Sequence, residues 1–208
     1  MQGCVHVVDD DASFRTAIER RLKQAGYEVA TYPSGLHLLL DLPAESTPSC
    51  ILLDVRIPGL SGPELQTRLS ELGSTLPIIF LTGVPDIRTT VRTIKAGADD
   101  FLTKPVASDD LFRAIEKAFA HHQTLRDLKD KLDSVRARLG RLTPREREVF
   151  DLVVRGNPNK QVARELGCSE RTIKAHRHRV MDKMQVRTLP ELVSLAERVG
   201  VASATRQF

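Results

Sequence analysis

Over roughly the first 120 residues, short apolar runs alternate with stretches of helical spacing. Cys4-Val5-His6-Val7-Val8 reads as a buried strand and stops at Asp9-Asp10-Asp11. From Ala12 to Ala25, the residues Phe14, Ile18, Leu22 and Ala25 share one helical face, and Gly26 is a natural stop. Tyr27 to Tyr32 predicts a second strand, Gly35 to Leu42 a helix ended by Pro43, and Ile51 to Asp54 a third strand. In Ser61-Gly62-Pro63-Glu64, Ser61 caps a helix that runs to Leu72 and Glu64 closes a capping box. Pro77 to Leu81 predicts a fourth strand ending in Thr82-Gly83, and Asp86 caps a helix from Ile87 to Ala96. Phe101-Leu102 is a short fifth strand ending at Thr103-Lys104-Pro105. Ser108-Asp109-Asp110 caps the next helix, with acids where the helix dipole favours them. The alternation predicts an α/β fold, a (βα)5 doubly wound parallel sheet covered on both faces.

Beyond this the period changes. Leu125, Leu128, Leu132, Val135 and Leu139 are spaced 3, 4, 3, 4, a heptad stripe on a helix continuing from the previous one. A short coiled coil between two protomers and packing on the chain's own domains both account for it. After Gly140, Thr143-Pro144-Arg145-Glu146 is a capped helix start, and Gly156-Asn157-Pro158 ends that helix. Lys160 to Leu166, then Glu170 to Met184 capped by Ser169, then Leu189 to Val199 complete four helices. Two short helices joined across Gly167-Cys168 are a helix-turn-helix signature. The predicted organisation is residues 1–120 as the sheet domain, 121–140 as a helical linker and 141–208 as an all-α helix-turn-helix domain.

Charge divides the chain in the same way. Residues 1–122 hold 12 Lys+Arg against 16 Asp+Glu, whereas residues 123–208 hold 19 against 11. Only the second part is suited to a polyanion. Its third helix carries Arg171, Lys174, Arg177, Arg179 and Lys183, while Ile173, Val180 and Met184 face inward. A merely solvated basic face accounts for Arg187 or Arg198, but not for a cap, a turn and a cationic face that coincide. Such a helix enters a DNA major groove by its N-terminal part. The three cysteines, Cys4, Cys50 and Cys168, form no CxxC, so neither a disulfide framework nor a zinc site is expected. No apolar run suits a membrane span, and Met1-Gln2-Gly3-Cys4 does not open a signal peptide. A reducing cytoplasm is the expected location.

The candidate chemistry sits where strands end. Asp9, Asp10, Asp54, Thr82 and Lys104 each follow a predicted strand, and in a parallel sheet those ends share one edge. Clustered carboxylates need a cation, and oxygen donors with no His or Cys beside them select Mg²⁺ over zinc. A carboxylate beside that ion can attack phosphorus and form an acyl phosphate, with Lys104 and Thr82 neutralising or donating to phosphoryl oxygens. Taken singly, Asp9 or Asp11 is better read as a helix cap and Lys104 as a surface lysine. All five groups at strand ends resist that explanation.

Val7-Val8-Asp9-Asp10, Leu53-Asp54-Val55-Arg56-Ile57-Pro58-Gly59, Leu81-Thr82-Gly83, Lys95-Ala96-Gly97-Ala98-Asp99-Asp100-Phe101 and Lys104-Pro105 together resemble the receiver domain of bacterial two-component response regulators. The resemblance implies phosphorylation of Asp54 by a histidine kinase. It also implies Mg²⁺ held by Asp10, Asp54 and the Arg56 carbonyl, with Asp9 acting through water, and a switch pair of Thr82 and Phe101. Val84-Pro85 and the third acid, Asp11, are departures expected to affect the loop or the phosphoryl lifetime. Leu142 to Val149, Asn159 to Ala163 and Ser169 to Arg177 resemble the LuxR-type DNA-binding domain. That resemblance implies Lys174, Ala175 and His178 near base edges, and Lys160, Arg171, Thr172, Arg177 and Arg179 nearer phosphates. Together the halves look like a FixJ-type response regulator. Its implied partners are a cognate histidine kinase, double-stranded promoter DNA and a second copy of the chain once phosphorylated, with room for RNA polymerase.

Two other classes share part of this pattern. A haloacid-dehalogenase-like phosphohydrolase also places an aspartate after a strand, but it needs a second acid two residues on, where this chain has Arg56. A DNA-binding protein with a degenerate receiver is disfavoured by the complete set of pocket residues.

Overall fold

The computed structural model describes residues 3–43, 46–84 and 86–201. Pro85, the second residue of the Val84-Pro85 departure, and the N-terminal Met1-Gln2 lie outside them. The chain divides into two compact units, with the boundary between Asp127 and Leu128.

In the first unit, strands and helices alternate: β1 (Cys4–Val8), α1 (Ala12–Gln24), β2 (Glu28–Tyr32), α2 (Gly35–Leu40), β3 (Ser49–Asp54), α3 (Gly62–Glu71), β4 (Ile78–Thr82), α4 (Ile87–Lys95) and β5 (Asp100–Thr103). The five strands form one sheet in the order β2-β1-β3-β4-β5, and every pairing is parallel. Consecutive residues of a strand point to opposite faces, so each central strand supplies both layers. Cys50 and Leu52 pack with Ile18, Leu22, Ile115 and Phe119 on one side. Ile51 and Leu53 pack with Leu38, Leu65 and Leu69 on the other. Burial on both faces is why β3 and β4 read as continuous apolar runs rather than as alternating ones. This is the doubly wound α/β architecture that the alternation predicts.

The helix α5 (Ser108–Gly140) is unbroken over 33 residues, and the unit boundary falls within it. Its start differs slightly from expectation: Ser108 is the first helical residue rather than the cap. Similarly, α2 ends at Leu40, two residues short of the expected end, because Leu42 precedes Pro43 and is steered away from helical geometry.

The second unit is helical: the end of α5, then α6 (Pro144–Val154), α7 (Asn159–Glu165), α8 (Glu170–Met184) and α9 (Leu189–Arg198). Its core gathers Val135 and Leu139 from α5 with Val149, Phe150, Val162, Ile173, Val180 and Leu192. The last part of the heptad stripe therefore packs inside its own unit, whereas Leu128 remains 53% exposed. Among the described residues no helix is long and apolar enough to cross a membrane.

Candidate functional site

At the carboxyl edge of the sheet, β1 delivers Asp9 and Asp10 and β3 delivers Asp54. One oxygen from each of these three carboxylates lies within 4.8 Å of the other two. Asp9 is buried, Asp54 half-buried and Asp10 exposed, so the cluster opens to solvent on one side. Asp11 does different work. It caps α1, accepting hydrogen bonds from the N–H groups of Ser13 and Phe14 at 2.8 and 3.2 Å.

Lys104, just past β5, spans the cluster. Its Nζ donates to Asp9 Oδ2 at 2.5 Å and to Asp54 Oδ2 at 2.6 Å, and its backbone N–H donates to the Thr82 carbonyl at 2.7 Å. Burial alone would lower the Lys104 ammonium, but its bonds to Asp54 and Asp9 raise it overall. Burial raises the Asp9 carboxyl, an effect that Lys104 and the Asp11 N–H only partly offset. The other Asp54 oxygen accepts from the Arg56 N–H at 2.9 Å.

The Thr82 side chain is buried, and its hydroxyl donates to the Val84 carbonyl at 3.0 Å, within its own loop. Phe101 is half-buried, with its ring centroid 6.2 Å from that of Phe80. The two residues end or enter adjacent strands, with Thr82 closing β4 and Phe101 in β5.

Three further residues support this cluster. Arg15 Nη1 donates to the Asp9 carbonyl at 2.6 Å, and the Phe14 ring lies 4.0 Å from Lys104 Nζ, a cation–π contact. Gly62 lets α3 approach the end of β3, since a Cβ there would stand 2.6 Å from the Asp54 carbonyl oxygen. The helix position of Phe14 was legible, but its contact with a lysine some ninety residues away carries no local signal.

In the second unit, Ser169 caps α8 by accepting from the Thr172 N–H at 3.1 Å, and its hydroxyl lies 2.9 Å from that of Thr172. Ile173, Val180 and Met184 are buried. The opposite face leaves Arg171, Thr172, Lys174, Ala175, His178 and Arg179 exposed, and Lys160 is exposed in the first turn of α7. Two cations are committed elsewhere. Arg177 Nη1 donates to Asn159 Oδ1 at 2.6 Å, tying α8 to α7. Lys183 Nζ donates to Glu146 Oε2 at 2.6 Å and to the Arg141 carbonyl at 3.1 Å. Lys183, together with the Thr143 N–H, holds the Glu146 carboxyl down to about 2. Lys183 thus braces the fold rather than joining the exposed basic face.

Comparison with known proteins assigns each half of the chain to a domain family. Residues 5–116 match the response regulator receiver domain, and residues 140–196 match the bacterial regulatory proteins of the luxR family. The chain belongs to the two-component response regulators. It is 40% identical over 202 residues to Nodulation protein W of Bradyrhizobium diazoefficiens, covering 97% of this chain and 88% of that protein. It is 39% identical over 200 residues to the transcriptional regulatory protein FixJ of the same species, covering 96% and 97%. The solved structure of the response regulator StyR, 40% identical, aligns with a TM-score of 0.79 over 95% of this chain and all of that one. Full-length FixJ from B. japonicum, 39% identical, aligns at 0.58 over 95% and 97%. This response regulator therefore acts in two-component control of transcription. Its receiver implies a histidine kinase as partner, and its LuxR-type domain implies DNA binding.

Proposed function

We propose that Asp54 is the phosphoacceptor, and that its phosphorylation by a cognate histidine kinase drives dimerisation and promoter binding. Residues 1–120 serve as the receiver, 121–140 as the linker and 141–208 as the DNA-binding domain. The observation that carries this reading is the convergence of three carboxylates and the Lys104 ammonium on one sheet edge.

The donor set is carboxylate oxygen with neither His nor Cys in the cluster, which fits a hard divalent cation. Asp10, Asp54 and the Arg56 carbonyl would hold Mg²⁺ directly and Asp9 through water. When bound, Mg²⁺ would neutralise charge on the phosphoryl oxygens. An Asp54 carboxylate oxygen attacks the phosphorus of the kinase's phosphohistidine. The new P–O bond replaces the P–N bond, and the imidazole leaves with that electron pair. Lys104 turns from the carboxylate oxygen to a phosphoryl oxygen. The Thr82 hydroxyl leaves the Val84 carbonyl to donate to another. Phe101 follows inward, and the face around Asp86 to Phe101 is remodelled into a surface for a second copy of the chain.

Two copies then present two α8 helices to two half-sites. Lys174, Ala175 and His178 face base edges, and Lys160, Arg171, Thr172, Arg177 and Arg179 the phosphates. Arg177 would have to release Asn159 to do so. RNA polymerase is the next partner once promoter DNA is held.

The test is oligomeric state by sedimentation with acetyl phosphate and Mg²⁺. The wild-type chain should shift to dimer and Asp54→Asn should stay as it was. A variant that still dimerised would remove Asp54 from the role.

A further inference from the structure

The helix α4 is built inside out. Its apolar residues Ile87, Val91 and Ile94 are 82%, 47% and 45% exposed. Its only buried residue is Thr93, with Thr89 and Thr90 half-buried beside it. Burial of apolar surface, which fixes most helices, therefore contributes little to holding this one. Polar contacts take over. At the N-terminal end, Asp86 accepts from the N–H groups of Arg88 and Thr89 at 3.3 and 3.0 Å. At the other end stands Gln66 of α3, only 5% exposed, whose Nε2 donates to the Thr93 carbonyl at 3.2 Å and to the Ala96 carbonyl at 3.1 Å. The Thr93 carbonyl also accepts from the Ala98 N–H at 3.0 Å, so the buried amide adds a second bond there and takes the Ala96 carbonyl, which stands past the last turn and has no partner within the helix.

Gln66 is itself well anchored. It lies one helical turn beyond Gly62, where α3 presses on the end of β3: the Gly62 N–H donates to the Val55 carbonyl at 3.2 Å, and a Cβ would stand 2.6 Å from the Asp54 carbonyl. A continuous path thus runs from the strand that carries Asp54, through α3, to the far end of α4. It bypasses Thr82 and Phe101.

We propose that Gln66 is a positioning residue: its carboxamide clamps the C-terminal end of α4 to α3 and sets how α4 presents Ile87, Val91 and Ile94 to a second copy of the chain. The presentation rests on the dimer surface proposed above, whereas the clamp stands on the hydrogen bonds alone.

The experiment uses the full chain in three forms: wild type, Gln66→Met and Gln66→Glu. Methionine keeps the volume and removes the donor. Glutamate puts an acceptor against two carbonyl oxygens. Amide hydrogen exchange should rise about tenfold or more across residues 87–98 in Gln66→Met and further in Gln66→Glu, with β1, β3 and β4 unchanged. That ranking separates a hydrogen-bond clamp from simple packing. With acetyl phosphate and Mg²⁺, Asp54 phosphorylation measured by intact mass should match wild type in Gln66→Met. Its dimer dissociation constant should rise about tenfold. Wild-type exchange across 87–98 in Gln66→Met, or an increase spread evenly over the sheet, overturns the clamp. A wild-type dimer constant in a variant whose α4 exchanges faster overturns the presentation. If the wild-type chain itself stays monomeric when phosphorylated, the dimer surface fails and the presentation with it, while exchange still decides the clamp.

Discussion

His6 is a charged-residue type placed where a charge does not belong. It sits on β1, 6% exposed, with the Tyr32 hydroxyl 3.4 Å from its Nδ1. Burial pushes it down to about 4; Asp41 pulls the other way and the neighbouring His122 pushes in the same direction. With a folded value below its unfolded value of roughly 6.5, the unfolded chain takes up the proton first as pH falls. The stabilisation is therefore complete above about 6.5 and is lost between there and about 4, to the extent of about 3 kcal/mol. Urea unfolding of wild type and His6→Leu across that window tests this. The wild-type unfolding free energy should fall with pH and the variant's should fall by less; parallel slopes would remove His6 as the cause. Lys104 shows the same logic reversed, since its charge is kept by two carboxylates and it stays ionised despite burial.

At the scale of elements, helix ends were the most legible feature. Ser61, Asp86, Thr143 and Ser169 all cap the helices that their spacing predicted, because a cap is a local arrangement of side chain and backbone. The strands were legible because burial on both faces leaves uninterrupted apolar runs. Helix faces were less so. The spacing of Ile87, Val91 and Ile94 would ordinarily mark the buried side of α4, yet they face outward, because the partners that hold Thr93 and Ala96 lie in α3. The same reason hides Lys183: a cation on a basic helix reads as part of that face until Glu146, 37 residues earlier, is found beside it. The end of α8 also departs from the pattern of its unit. Gly156 and Gly167 follow α6 and α7 at φ 87° and 63°, but α8 ends on Gln185 at φ 57°. A side chain in that region costs on the order of 1 kcal/mol that glycine avoids. Gln185→Gly should raise stability by about that amount, read as a higher urea midpoint with an unchanged slope. A lower midpoint would show that the Gln185 side chain supports the fold.

At the scale of the whole molecule, the two units divide the labour that their charges announce. The acidic part gathers carboxylates around one cation, and the basic part lays an exposed cationic face along one helix. That much was legible, as was the site's address on the sheet edge. The hydrogen bonds that hold its members were not, since they join residues 50 and 95 positions apart. The central claim is that phosphoryl transfer to Asp54 governs what α8 does with DNA. The direct measurement is the affinity of the full chain for its promoter fragment, with and without acetyl phosphate and Mg²⁺, in wild type and Asp54→Asn, at one fixed salt concentration because phosphate contacts are salt-sensitive. Wild type should tighten about tenfold or more on phosphorylation, and Asp54→Asn should not respond. Equal wild-type affinity in both states, or an equal response in Asp54→Asn, would contradict it.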